Sequence, residues 1–229
     1  KGIEQGSNLL LSDVVIEILG EETRSLVGYL SGPSLAKEVM RGVPTTVVCS
    51  AFSAELVTQV QKLFAADTFR VYPNYDMRGV EFGGAMKNII AIACGVSDGL
   101  KFGDNAKAAL MTRGLHEIRK LAVAKECRAE TINGLAGLGD LCATCMSRFS
   151  RNYRFGHLIA QGRTPQQAKD EIGMVVEGAY SCVSALQVGK EMNVPLPITN
   201  AVWHLIYKEM SPKTAVKALL DRTIKEEHL

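Results

Sequence analysis

The pattern of secondary structure changes once along the chain, near Asn74, and this change restricts the possible folds more than any other feature. Before it, short apolar strands alternate with amphipathic helices. The patterns predict helices over residues 9–20, 36–40 and 54–64 and strands over residues 26–30, 45–49 and 69–72. Alternation of this kind favours a parallel α/β sheet.

After residue 75 no strand pattern occurs, and helical patterns follow one another. They predict helices over residues 76–98, 105–126, 138–147, 165–172, 178–193, 198–209 and 212–224. The sequence therefore predicts an α/β part over residues 1–74 and an all-helical part over residues 75–229.

Composition narrows the range of partners. Lys and Arg total 26 against 24 Asp and Glu, and this net charge of +2 is too small to attract nucleic acid or an anionic membrane. The six cysteines are dispersed, which is typical of a reducing compartment and predicts a cytoplasmic chain. The longest apolar run, residues 89–96, is shorter than the ~18 residues of a membrane span.

One lysine lies within an apolar helical segment, Gly83 to Ala93. Helical spacing places Gly84 and Ala91 beside Lys87, so the surface around the ammonium is small and leaves room for a ligand. Burial lowers the pKa of a lysine toward the range useful for proton transfer. The alternative is a lysine that extends from the helix edge into solvent.

Two further segments combine flexible backbone with polar side chains. In Gly134-Leu-Ala-Gly-Leu-Gly-Asp140, three glycines precede a carboxylate that either contacts a ligand or caps a helix. Cys142 stands where a dinucleotide fingerprint needs its third glycine, so Gly137-x-Gly139 is not predicted to bind nucleotide. Cys142 and Cys145 have no second pair to complete a metal site.

Two segments carry donors that are typical of anion-binding sites. Ser150, Arg151 and Asn152 offer all three in succession, which suits a phosphate, although polar basic segments are often only solvated. Gly32-Pro33-Ser34 leads into a helix N-terminus, which either binds an anion or is merely capped.

Taken together, five motifs in order resemble the NAD(P)-dependent glycerol-3-phosphate dehydrogenase family in its bacterial form. They are Gly32-Pro-Ser-Leu-Ala-Lys-Glu38, Gly83-Gly-Ala-Met-Lys-Asn88, Gly137-Leu-Gly-Asp-Leu141, Ser150-Arg-Asn152 and Val176-Glu-Gly178. The resemblance extends from Lys1 to about Leu220. It implies a Rossmann-type α/β domain, of which residues 1–74 are the last part, followed by an all-α substrate-binding domain.

The resemblance also implies roles for individual residues. Lys87 matches the family's proton donor and acceptor. Positions that hold glycerol 3-phosphate match Lys1, Gly32, Ser34, Lys87, Asp140, Ser150, Arg151 and Asn152. Positions near the NAD or NADP cofactor match Lys1, Ala36, Arg151, Val175 and Glu177. The implied reaction converts dihydroxyacetone phosphate and glycerol 3-phosphate into one another for glycerophospholipid synthesis, and the assembly expected for the family is a homodimer.

The chain departs from the family's pattern at its front. No Gly-x-Gly-x-x-Gly follows a strand, so we expect the pyrophosphate-binding segment to be missing and this chain to be inactive alone. Two alternatives remain at this point. One is a dehydrogenase of the β-hydroxyacid type, which also carries a helical lysine; the other is a non-catalytic module that binds a phosphometabolite or dimerises.

Overall fold

A small three-stranded sheet forms the centre of the first part of the chain. The computed structural model describes residues 1–223 and 226–227. The strands are β1 (Gly28–Ser31), β2 (Thr45–Ala51) and β3 (Phe69–Pro73), in the order β1-β2-β3. β2 and β3 are parallel, as predicted, but β1 is antiparallel to β2. The prediction of a wholly parallel sheet is wrong because the segment between β1 and β2 contains a single four-residue helix, which does not carry the chain back across the sheet.

The first part of the chain also contains three helices. They are α1 (Leu11–Leu19), α2 (Ala36–Val39) and α3 (Ala54–Phe64), and a 3₁₀ turn occupies Glu21–Leu26. α3 begins where Ser53 accepts a hydrogen bond from the Leu56 backbone N–H, and it packs through Val57 against one face. The opposite face meets the first helix of the second part.

The second part of the chain is helical throughout the described residues. Its helices are α4 (Met77–Gly99), α5 (Asp104–Ala124), α6 (Ala129–Asn133), α7 (Asp140–Met146), α8 (Arg151–Ala160), α9 (Pro165–Ile172), α10 (Glu177–Glu191), α11 (Pro197–Tyr207) and α12 (Pro212–Leu220), with a π-helical turn at Leu135–Gly139 before α7. The predicted helix over residues 138–147 thus begins with this turn.

α4 is the central helix, surrounded by the others. It is long and apolar enough to cross a membrane by length and composition, but its apolar window is wholly buried inside the protein. It lies in the main apolar core with residues of α5, α8, α10 and α11. A helix that is apolar on all sides is stable in water only when neighbours cover every side, as they do here.

α8 approaches α4 closely because glycines replace side chains at the crossing. A Cβ atom on Gly95 would stand 2.0 Å from the Tyr153 carbonyl oxygen, and one on Gly156 would stand 2.0 Å from the Ile92 carbonyl oxygen. The two backbones are therefore in direct contact, and their separation does not depend on side-chain conformation.

Two helices were not predicted, α6 and α8. Residues 151–154 were interpreted as a polar basic segment, whereas they form the first turn of α8, with Ser150 as its N-cap. The predicted helix over residues 212–224 is observed as far as Leu220, and Ile224 lies outside the described residues.

A buried carboxylate joins α5 to α11. Glu117, which is 4% exposed, accepts hydrogen bonds from the backbone N–H groups of Ile198 (2.6 Å) and Thr199 (3.2 Å) and from the Thr199 hydroxyl (3.1 Å). Burial raises the pKa of Glu117 to about 7, although these hydrogen bonds oppose the rise. The carboxyl group satisfies donors at the start of α11 that have no partner within that helix.

We predict that Glu117→Ala lowers the free energy of unfolding by roughly 2–4 kcal/mol, because buried N–H groups lose their acceptor. Denaturant unfolding measures this change. Glu17→Ala, at an exposed position on α1, is the control and should change stability by less than ~0.5 kcal/mol. Equal effects from the two variants would contradict the capping role.

Candidate active site

Lys87 lies on α4 at the point where the start of the chain and α7 converge. It is 8% exposed, so the alternative of a lysine extending into solvent is wrong. Its Nζ donates hydrogen bonds to Asp140 Oδ1 (2.5 Å) and to Thr144 Oγ1 (2.8 Å). The Lys1 Nζ donates to the other oxygen of the same carboxylate, Oδ2, at 2.7 Å.

Asp140 is the first residue of α7 and is 2% exposed. It does not act as an N-cap, because Gly139 occupies that position and Asp140 instead points toward the two ammonium groups. The capping interpretation of this carboxylate is therefore wrong. Thr144, one turn later on the same face, donates to the Asp140 carbonyl oxygen at 2.6 Å and accepts from Lys87.

Burial and charge act on the proton of Lys87 in opposite directions. Burial lowers its pKa most, and the neighbouring Lys1 ammonium lowers it further. The negative charges of Asp140 and Glu177 and the hydrogen bond to Asp140 raise it, but the net pKa remains below the ordinary value of 10.5. Lys87 therefore releases its proton more readily than a solvated lysine.

A second group of polar residues adjoins the first through Asn88. The Asn88 amide donates to Glu177 Oε2 at 2.9 Å, and the Arg151 guanidinium reaches Glu177 Oε1 at 3.5 Å. The Asn152 side-chain oxygen accepts from the Gly178 backbone N–H at 2.9 Å. These bonds join α4, α8 and the start of α10, so the residues of three separated motifs form one network.

The N-terminus of α8 carries the predicted phosphate-binding residues. Ser150 and Asn152 are buried, and Arg151 is one-third exposed, so its guanidinium can reach a ligand. The Ser150 hydroxyl accepts from the Tyr153 backbone N–H at 3.2 Å. A helix N-terminus with a guanidinium beside it favours an anion.

The Gly32-Pro33-Ser34 turn is next to the Asp140 loop. A Cβ on Gly139 would lie 3.6 Å from Pro33, and the Lys37 ammonium lies 4.9 Å from the centre of the Phe149 ring. The Ser34 hydroxyl donates to the Gly32 carbonyl and does not cap α2, so the capping alternative for this turn is wrong.

Other predicted positions lie at the edge of this region. Ser34 and Ala36 are exposed, and so is Val175, which precedes Glu177 by two residues. All six cysteines are free, and within the described ranges no three His, Cys, Asp or Glu side chains could share a metal.

Asn88 and Thr144 were not among the predicted site residues. The sequence could have indicated both residues, since Asn88 follows Lys87 within a quoted motif and Thr144 lies four residues after Asp140 on the same helix face.

A cavity of about 1140 Å³ lies away from this site, among residues of α5, α11 and α12, and none of the predicted site residues lines it.

Comparison with known proteins shows the family to which the chain belongs. The model for the C-terminal domain of NAD-dependent glycerol-3-phosphate dehydrogenase matches residues 76–217, and the model for the N-terminal domain matches residues 1–57. The chain belongs to the NAD-dependent glycerol-3-phosphate dehydrogenase family. It is therefore related to oxidoreductases that use NAD or NADP, and the β-hydroxyacid alternative is wrong.

Named relatives agree with this family. The chain is 61% identical to glycerol-3-phosphate dehydrogenase [NAD(P)+] of Protochlamydia amoebophila and 56% identical to that of Chlamydia felis. Each alignment covers 100% of this chain and 69% of the relative. The chain thus spans about two thirds of the length of these dehydrogenases.

A solved structure shares the fold. The crystal structure of glycerol-3-phosphate dehydrogenase from Coxiella burnetii superimposes with a TM-score of 0.90 at 40% identity, over 97% of this chain and 67% of that one. The order of a strand-containing part followed by a helical part is thus that of the family, a Rossmann-type domain and an all-α domain.

We predict that the pKa of Lys87 responds in opposite directions to removal of its two charged neighbours. Asp140→Asn removes the negative charge and should lower the pKa further, whereas Lys1→Met removes a positive charge and should raise it. NMR titration of the lysine side chains measures both shifts. An ordinary lysine pKa for Lys87 in the wild type and in both variants would contradict this electrostatic arrangement.

Proposed function

We propose that the described site interconverts dihydroxyacetone phosphate and sn-glycerol 3-phosphate, with Lys87 as the residue that moves the proton. The observation that carries this proposal is a buried lysine with a lowered pKa, held between Asp140 and Thr144 on a helix that packs directly against α8, whose first residue is Arg151. A lysine in this state can give a proton to a forming alkoxide and take it back in the reverse direction.

Asp140 has two roles in this proposal. Its carboxylate orients the Lys87 ammonium, because one oxygen accepts from Lys87 and the other from Lys1. It also keeps Lys87 charged in a buried place where an unpaired ammonium would lose its proton. Thr144 fixes a second N–H group of the ammonium, which leaves the third N–H group for the substrate oxygen.

The phosphate of the substrate would bind at the start of α8. Arg151 has a long 3.5 Å contact with Glu177, so its guanidinium can be shared with a phosphate at little cost. Ser150, Asn152, Lys1, Gly32 and Ser34 complete the proposed substrate site. Binding the phosphate at a distance from the reacting carbon positions that carbon against Lys87.

Residues on one side of the site fit the nicotinamide end of NAD or NADP. Arg151 and Glu177 form a partly exposed polar pair that contacts Asn88, the neighbour of Lys87. Lys1, Ala36 and Val175 are proposed to adjoin the cofactor as well. When bound, the cofactor supplies or accepts the hydride.

The organisation of the whole chain forms part of the proposal. We divide it into residues 1–74, the end of the nucleotide-binding domain, and residues 75–229, the substrate-binding and catalytic domain. The division falls between β3, which ends at Pro73, and α4, which begins at Met77. We further propose a homodimer in the cytoplasm that serves glycerophospholipid synthesis.

We predict that Lys87→Ala in the full-length enzyme lowers kcat for dihydroxyacetone phosphate reduction by roughly 10²- to 10⁴-fold, the contribution of general acid catalysis. Steady-state kinetics with NADH or NADPH measure the loss. Lys62→Ala is the matched control, because Lys62 is exposed on α3, which covers the face of the sheet opposite α4. Turnover near that of the wild type in Lys87→Ala would refute the assignment.

We predict that Arg151→Ala lowers kcat/KM much more for dihydroxyacetone phosphate than for dihydroxyacetone, because only the phosphorylated substrate loses a charge-assisted bond, whereas any loss on the cofactor side is common to both. The ratio of kcat/KM for the two substrates measures the difference. Arg154→Ala, three residues later and exposed, serves as the control. Equal losses on both substrates would assign Arg151 to the fold or the cofactor instead.

A further inference from the structure

A buried hydroxyl beside Lys1 has no hydrogen-bond partner among the described residues. Ser31, the last residue of β1, is 1% exposed, and its Oγ neither donates nor accepts there. Leaving a buried hydroxyl unpaired costs about 1–3 kcal/mol. Such a group is expected where another state of the protein supplies the partner.

The surroundings of Ser31 identify a candidate partner. A Cβ atom on Gly84 would stand 2.9 Å from Ser31 Oγ, 3.3 Å from Lys1 Cδ and 3.6 Å from Lys1 Cε. The serine hydroxyl and the lysine side chain therefore lie against the same point of α4. Gly84 is also one turn before Lys87, so this point adjoins the proposed reaction centre.

Lys1 has the hydrogen-bonding capacity that Ser31 lacks. An ammonium group offers three N–H donors, and within the described part of the chain Lys1 Nζ uses one of them, on Asp140. The Lys1 side chain is 25% exposed, so its ammonium has room to move, whereas Ser31 is fixed in a strand. Spare donors and an unpaired acceptor thus lie side by side.

We propose that Ser31 is a positioning residue for Lys1, and that its hydroxyl accepts a hydrogen bond from Lys1 Nζ when substrate is bound. This inference rests on the proposed function, in which Lys1 contacts the substrate. When Asp140 and Ser31 both accept hydrogen bonds from Lys1 Nζ, the direction of its third N–H bond is fixed, because the three N–H bonds are tetrahedrally arranged. Ser31 thereby sets the direction from which Lys1 meets the substrate.

Tyr29 is consistent with a polar surface beneath Lys1. It lies two residues before Ser31, on the same face of β1, and its buried hydroxyl also lacks a partner among the described residues. Burial, followed by the charges of Glu81, Asp140 and Glu177, raises its pKa far above the ordinary value. The Tyr29 hydroxyl therefore stays protonated near the carboxylates of the site.

The test compares Ser31→Ala with two other serine variants in the full-length enzyme. Ser31→Ala should raise KM for dihydroxyacetone phosphate about tenfold with little change in kcat, because a bond to a charged group is lost in the ground state and the transition state alike. Its melting temperature without substrate should not fall, because the hydroxyl is unpaired in that state. Ser31→Thr, which keeps the hydroxyl, should restore KM.

Ser97→Ala is the matched control. The Ser97 hydroxyl is likewise buried and unpartnered among the described residues, but it lies ten residues beyond Lys87 on α4, about 15 Å along the helix. It should leave KM unchanged. A change in KM as large in Ser97→Ala as in Ser31→Ala would overturn the proposal.

A double-mutant cycle decides whether Ser31 acts through Lys1. Lys1→Ala alone should raise KM, and adding Ser31→Ala should then have no further effect. A full tenfold effect of Ser31→Ala in the Lys1→Ala background would overturn the proposal, as would an unchanged KM in Ser31→Ala alone. An unchanged KM in Lys1→Ala would instead refute the proposed substrate role of Lys1, and this inference with it.

Discussion

One buried carboxylate shared by two ammonium groups holds the site together. Asp140 accepts from Lys1 with one oxygen and from Lys87 with the other. The three groups come from the start of the chain, from α4 and from α7. Because a buried charge without a partner is strongly unfavourable, α4 and α7 cannot separate without leaving Lys87 or Asp140 uncompensated, and Lys1 adds a second ion pair from the start of the chain. The α/β part and the helical part are therefore joined at the site itself.

The same sharing keeps the pKa of Lys87 below its ordinary value, as the proposed proton transfer requires. Burial alone would remove the proton, and a single carboxylate partner in water would hold it firmly. The Lys1 ammonium binds the same carboxylate, and its positive charge offsets part of the effect by which Asp140 raises the pKa of Lys87. A change of charge at Lys1, Asp140 or Glu177 consequently alters the proton affinity of Lys87. A negatively charged ligand beside Lys87 would raise its pKa.

Local patterns predicted the helices better than they predicted how elements pair. Ala54–Phe64 and Pro165–Ile172 agree with the prediction at both ends, because their capping residues and apolar spacing are local. The direction of β1 depends on how the chain returns to the sheet, which spacing does not record. α8 was missed because its first turn is polar and basic, and its apolar residues are recognisable only against α4.

In the site, too, the features that depend on neighbouring residues in the chain were predictable, and those that depend on packing were not. The burial of Lys87 could be predicted from its apolar neighbours in the chain, and Thr144 could have been found from its spacing to Asp140. The bond between Asn88 and Glu177 could not, because it joins residues far apart in the chain and requires that α4 and α10 be packed together.

The glycine contacts between α4 and α8 have a consequence for the kind of molecule that fits. α4 carries Lys87, and α8 begins at Ser150, Arg151 and Asn152. Where Gly95 and Gly156 meet the opposite backbone, no side chain can rotate to widen or narrow the gap. The backbones that carry the two ends of the proposed site are consequently held at a constant spacing. In the proposed binding mode, a phosphate ester with one carbon more or fewer would hold its reacting oxygen at a different distance from Lys87.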